Sequence, residues 1–241
     1  MGAGSYAYAV SRANASAAGR ASANAGVSVD ERMRAASPSH RTDRARRRRI
    51  LMLGNSLTTA NDLPKLLSEG MCAEVVVHAR GGARLAEHLN PKTRNGARTL
   101  AALGAVPADV RSVRPGPWDF VVLQEMSNAP VTTPDAYRRT VVSLARVVRD
   151  AGAVPVLYGT WAYREGSARL ARLGLSYGEM HARMAETFAL ASSESAALLA
   201  NACDAFFETD DPTLLYARDG VHPSEVGTRL VARILVETMG A

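Results

Sequence analysis

The sequence predicts an α/β fold, a three-layer α/β/α sandwich around a parallel sheet of about five strands. Two observations predict it. From about residue 50 onward, strand-sized apolar runs alternate with stretches of helical periodicity. Such alternation implies a parallel sheet covered on both faces, with right-handed crossovers. A chain of 241 residues can bury a full core, most simply as one domain.

Ile50–Gly54 reads as the first strand, a run of large apolar residues closed by glycine. Asn55-Ser56 follow at its carboxyl end. Asn61-Asp62-Leu63-Pro64 announces a helix over about Leu63–Glu69, with a polar cap and a proline near its first turn. The β-branched run Glu74–Ala79 is the second strand. Gly81-Gly82 end it, before helical stretches at Ala83–Leu89 and near Ala97–Leu103. After the turn residues Pro115-Gly116-Pro117, Trp118–Gln124 is the third strand, followed by the polar loop Glu125–Pro130.

Thr133-Pro134 marks a capped helix with Tyr137, Val141, Leu144, Ala145 and Val148 on one face. Gly152 closes it, and Val154–Tyr158 is the fourth strand. Ser176 and Glu179 form a capping box for the next helix, whose stripe of Met180, Met184 and Phe188 reads as core. Ala197–Ala200 is a short fifth strand, and a helix begins over Ala202–Phe207. The last helix runs from Pro223 to about Met239, with Leu230, Val231, Ile234 and Leu235 facing inward.

The net charge of +6 is unevenly spread. Residues 1–49 hold ten arginines against three acids, whereas the remainder is close to neutral. The folded part therefore gives no electrostatic reason to expect a nucleic-acid partner. Residues 1–48 have almost no large apolar side chains and are expected to be a disordered Ala/Ser/Arg-rich tail, with one domain over 49–241. Arg46–Arg49 reads as a solvated flank of the first strand. No run reaches a membrane span, and the amino-terminal residues lack a signal peptide's apolar core, so a cytoplasmic chain without membrane association is expected. Cys72 and Cys203 have no metal-ligand spacing and read as two packed, reduced thiols. No metal or organic cofactor is implied, and the oligomeric state is left open.

A hydrolytic serine needs a base, a group that orients the base, and donors for the oxyanion. Ser56, Gly82 and Asn128 follow three successive strands on the same sheet edge, and Asp219 and His222 lie just before the last helix. A histidine three residues after an aspartate can turn one ring nitrogen to the carboxylate and offer the other to a serine. His78 and His181 read as structural, and His88 as a packing or capping residue near the site.

These residues resemble a family. Gly54-Asn-Ser-Leu57 resembles the first block of the SGNH/GDSL hydrolases, with Asn55 where the family name has Asp. Asp219-x-x-His222-Pro resembles the last block and is the most specific match. Leu123-Gln-Glu-Met-Ser-Asn128 resembles the third block, and also the Gln-Gly-Glu-Ser-Asn run of sialate-type acetylesterases. The likeness covers about residues 49–240 and implies the flavodoxin-like hydrolase fold over 49–241. It implies Ser56 as nucleophile, His222 as general base and Asp219 as its orienting partner. It places the oxyanion between the backbone N–H groups of Ser56 and Gly82 and the amide of Asn128, with Gln124 as the alternative to Asn128. Position 58 is Thr, so Ser56 is not in a Gly-x-Ser-x-Gly elbow and should sit on a more open turn with a shallower site. The expected function is serine ester hydrolysis on small acyl groups, including O-acetyl groups on carbohydrate. A thioesterase or acyltransferase with the same triad is the close alternative, and a non-catalytic binding module with a basic tail is the distant one.

Overall fold

The computed structural model describes residues 46–105 and 116–240. The expected disordered tail lies outside these residues except for its last three positions. Pro115 of the expected turn is also outside.

The described chain forms strands β1 (Arg49–Gly54), β2 (Glu74–Ala79), β3 (Phe120–Leu123), β4 (Val154–Gly159) and β5 (Leu198–Asn201). They make one parallel sheet in the order β2-β1-β3-β4-β5. The helices are α1 (Ser56–Thr59), α2 (Leu63–Met71), α3 (Arg94–Ala102), α4 (Ala129–Thr132), α5 (Pro134–Asp150), α6 (Ala168–Leu173), α7 (Tyr177–Ser195), α8 (Ala202–Phe207) and α9 (Glu225–Gly240). Short 3₁₀ turns lie at Ala60–Asp62, Leu85–Leu89 and Pro212–Leu215.

Successive strand residues point to opposite faces, and this splits the core in two. Leu51, Leu53, Val121 and Leu123 pack with Tyr137, Val141, Leu144, Met180, Met184 and Phe188 of α5 and α7. Ile50, Met52, Val122 and Val156 pack on the other face with Leu63, Leu67, Phe206, Val231, Leu235 and Met239. The inner strands β1, β3 and β4 are apolar over most of their length because their faces are buried, whereas the edge strands β2 and β5 are partly exposed. The α/β/α sandwich expected from the sequence is therefore present.

Local differences have local causes. The third strand starts at Phe120, not Trp118: Trp118 is buried as a plug whose indole N–H donates to Ala102 O (2.8 Å), and Asp119 accepts from Arg49 N (2.7 Å). The arginine run is not simply solvated. Arg46 pairs with Asp119, and Arg49 pairs with Glu74 and lies 4.3 Å over the Trp118 ring. Cys72 is exposed rather than packed, because it ends α2 in a left-handed conformation (φ 48°). Cys203 is buried, and both thiols are free. Thr133 makes no side-chain cap at α5, whereas Ser176 and Glu179 form the expected box at α7. The last helix begins at Glu225, where Ser224 Oγ accepts from Gly227 N (3.1 Å). Among the described residues no helix is long and apolar enough to cross a membrane.

The order 2-1-3-4-5 reverses direction between β1 and β3. Open α/β sheets form a crevice at the carboxyl ends of their strands at such a reversal. The loops after β1, β2 and β3 meet there.

Candidate active site

Asn55 shapes the turn after β1. Its Oδ1 accepts from Leu57 N (3.1 Å), which caps α1, so Ser56 is the first residue of a helical turn rather than part of an open loop. Its Nδ2 donates to Ala83 O (3.2 Å) and ties this turn to the loop after β2. Beneath it lies Gln124, fully buried. Gln124 Oε1 accepts from Asn55 N (2.9 Å) and Thr58 Oγ1 (2.8 Å), while its Nε2 donates to Glu125 O. Glu125 accepts from Leu85 N (3.1 Å) and Met126 N (2.8 Å). Burial raises its pKa, and those two backbone bonds partly oppose the rise. One amide and one carboxylate thus lock three strand-end loops together.

The loop before α9 supplies the other half. Asp219 Oδ1 accepts from Val221 N and His222 N (both 3.0 Å), while Oδ2 meets His222 Nδ1 at 2.6 Å. His222 Nε2 lies 2.8 Å from Ser56 Oγ. Partial burial raises the Asp219 pKa, but the His222 ring and the two backbone donors outweigh it and bring it to about 2. Asp219 is therefore a carboxylate throughout the neutral range. The loop is closed by Ala217 N to His222 O (2.9 Å), and Trp161 Nε1 donates to Val221 O (3.1 Å). Asn61 joins the two halves: its Nδ2 donates to Pro223 O (3.0 Å) and Thr228 Oγ1 (2.8 Å). Of the Asn61-Asp62 pair that offered the expected polar cap, Asp62 holds the cap position without a side-chain cap bond, and Asn61 adopts a left-handed conformation (φ 45°).

Ser56 and His222 face a small open cleft of about 160 Å³. Gly82, Met126, Ser127, Tyr163 and Arg169 also line it. Gly82 has φ 68°, and neither its N–H nor that of Ser56 has an acceptor among the described residues. The structure thus brings Ser56, His222, Asp219 and Gly82 together. Asn128 sits behind Ser127 at the start of α4 and does not line the cleft; its Oδ1 is buried without a partner. Gln124 is fully buried and does not line the cleft; its Oε1 and one of its two Nε2 hydrogens are engaged. Sequence reasoning passed over Asn55's bridging role, Glu125, Tyr163 and Arg169. Only Asn55 had a local signal, a cap residue directly before a helical turn.

The remaining histidines lie elsewhere. His78 and His88 are buried and share Thr99 Oγ1 through their Nδ1 atoms (3.2 and 2.9 Å). One hydroxyl has one hydrogen, so one ring must donate and the other accept. His88 Nε2 is buried without a partner. An unmet lone pair costs less than an unmet N–H, so the proton of His88 is assigned to Nδ1 and that of His78 to Nε2. His181 pairs with Asp204 at 2.8 Å and stacks on Phe207. His181, Asp204 and Cys203 place potential metal ligands within 4.8 Å of one another, away from the cleft. Asp204 is already engaged by His181 and Asn201, and burial pushes the Cys203 thiol up, away from the thiolate a metal needs.

The chain is similar to a solved structure from Slackia heliotrinireducens assigned as an SGNH hydrolase. The two are 57% identical over 80% of this chain and 100% of the other, with a TM-score of 0.74. The chain belongs to the SGNH hydrolase superfamily. More distant likenesses of fold include a lipase/acylhydrolase from Enterococcus faecalis (15% identity, TM-score 0.56, 80% of this chain and 96% of the other). A Geobacillus acetyl-xylooligosaccharide esterase variant is similar at 15% identity (TM-score 0.52, 80% and 94%). No protein-family model and no curated protein matches the chain.

Proposed function

We propose that this SGNH hydrolase is a serine ester hydrolase acting on small acyl esters through Ser56, His222 and Asp219. The observation that carries the reading is the pair of hydrogen bonds linking Asp219 to His222 to Ser56, 2.6 and 2.8 Å long, at the mouth of a cleft. His222 Nε2 takes the proton as Ser56 Oγ attacks the ester carbonyl, and Asp219 stabilises the imidazolium. The oxyanion falls to the backbone N–H groups of Ser56 and Gly82, both without another acceptor, and Asn128 would have to turn toward the cleft to join them. Collapse expels the alcohol, which takes the proton from His222 and leaves an acyl-Ser56 ester. Water, deprotonated by His222, then attacks this ester and releases the acid. The cleft volume of about 160 Å³ favours a short acyl chain. The acetyl-ester activity in the Geobacillus protein's description agrees with that size by analogy of fold only. Residues 49–241 form the catalytic domain in this reading.

The test is hydrolysis of p-nitrophenyl acetate by the full chain beside Ser56→Ala, His222→Ala and the double variant. All three variants should lose activity to a similar extent, because the residues act as a unit. Additive losses would separate His222 from Ser56, and a Ser56→Ala enzyme of full activity would refute the reading.

A further inference from the structure

We propose that Arg169 forms an anion subsite beside Ser56, so that the preferred ester carries a carboxylate on its alcohol or acyl part. The inference rests on the hydrolase reading for its substrate, though not for its binding site. Among the described residues, Arg169 is the one ionisable side chain lining the cleft besides His222 and the phenol of Tyr163. It makes no hydrogen bond or ion pair among the described residues. Arginines elsewhere on the domain, such as Arg80, Arg138 and Arg229, are matched to carboxylates.

The neighbourhood reinforces the sign. Arg164 and Arg218 flank the His222 loop, where an Arg164 Nη2 donates to Arg218 O (3.5 Å), and neither pairs with a carboxylate. Asp219 is bonded to His222, and Glu165 lines a different groove with Leu170 and Tyr177. The base of Arg169 is also fixed relative to the serine. Ser167 caps α6 by accepting from Leu170 N (3.2 Å), Ser167 N donates to Arg164 O (3.1 Å), and Arg164 N donates to Gly220 O (2.9 Å), two residues before His222. A planar guanidinium at a cleft wall, on a backbone anchored to the His222 loop, is suited to a carboxylate, which it can meet with two parallel N–H donors.

Two matched ester pairs separate the two placements of the charge. 3-Carboxy-4-nitrophenyl acetate against 4-nitrophenyl acetate reads the alcohol side, and monomethyl succinate against methyl butanoate reads the acyl side. The anionic member of at least one pair should be favoured in kcat/KM by about fivefold at low salt, a magnitude typical of a partly exposed charge pair. That ratio should fall to near one in Arg169→Gln, return in part in Arg169→Lys, and persist in Arg172→Gln. Arg172 is an exposed arginine on the same helix that does not line the cleft, so it controls for overall charge. A separate arm titrates 5-hydroxy-2-nitrobenzoate into the Ser56→Ala protein by calorimetry, with and without Arg169→Gln. Binding should weaken at least threefold when the guanidinium is removed. Failure of every ester to turn over would refute the hydrolase reading and leave calorimetry to decide the subsite. An anionic preference in neither pair, an unchanged ratio in Arg169→Gln, an equal fall in Arg172→Gln, or, where the alcohol-side pair is the one favoured or no ester turns over, no difference in the calorimetric arm would overturn the proposal.

Discussion

Asp219 and Gln124 show two kinds of dependence at the scale of single residues. Asp219 is half exposed and holds His222 in one orientation, so replacing it should affect chemistry far more than folding. Asp219→Asn should lower kcat by about 10³–10⁴-fold with little change in Tm, measured on p-nitrophenyl acetate and by thermal melting. A loss below about tenfold would mean that His222 is oriented by the loop backbone alone. Gln124 does the opposite work. Gln124→Leu leaves the buried Asn55 N–H and Thr58 hydroxyl without their acceptor, at about 1–3 kcal/mol for each unsatisfied group. Urea denaturation should register that loss together with reduced turnover, and an unchanged midpoint would contradict the locking role. The residues legible in the sequence were those whose relationship is local. Asp219 and His222 are three positions apart, and Ser56 directly follows a strand. The sequence places Gln124 at the end of the third strand and Asn128 in the loop after it, but does not say which way each side chain turns. Glu125 and Arg169 act across long sequence separations, where no spacing rule reaches.

At the scale of elements, the inner strands β1, β3 and β4 could be read because parallel strands buried on both faces are apolar over most of their length. Segment ends and short helices were harder. The α6 helix was missed although Ser167 and Gly174 bracket it as cap and stop, because its few residues carry no convincing periodicity. The Asn61-Asp62 segment announced the start of α2 but not its geometry: both residues take left-handed conformations, which a cap-like sequence does not announce. That segment fixes the distance between the α1 turn and α9. Asn61→Ala removes its bonds to Pro223 O and Thr228 and also burdens an alanine with a positive φ, so a loss of about 1–3 kcal/mol is expected with a fall in kcat. Asn61→Gly relieves the backbone conformation but not the lost bonds. It should therefore recover part of the stability and little of the kcat, and full recovery of both would make the side-chain tie irrelevant.

The whole molecule carries a pH dependence built into its core. Burial, with smaller contributions from Arg98 and His88, lowers the His78 pKa from 6.5 to about 4. Burial lowers His88 likewise to about 4, with Glu87 opposing. Both rings are thus neutral when folded, while the unfolded chain takes up protons as pH falls below 6.5. Stability is fully present above 6.5, declines as pH falls toward about 4, and changes no further from these groups below that. The ceiling is about 3 kcal/mol per ring. Glu125, whose raised pKa favours its protonated form in the fold, partly offsets the loss. Urea midpoints measured at pH 7, 5.5 and 4 should fall in that order, and less steeply in His88→Gln than in the parent. A flat series would mean that the two rings are solvated in solution.

The central claim is that Ser56 is made nucleophilic by His222, and covalent labelling tests it most directly. The full chain would be treated with a fluorophosphonate probe and the modified peptide mapped by mass spectrometry. One adduct is expected, on the peptide containing Ser56, absent in Ser56→Ala and formed at least about 10²-fold more slowly in His222→Ala. An unlabelled Ser56, or labelling at the same rate without His222, would contradict it.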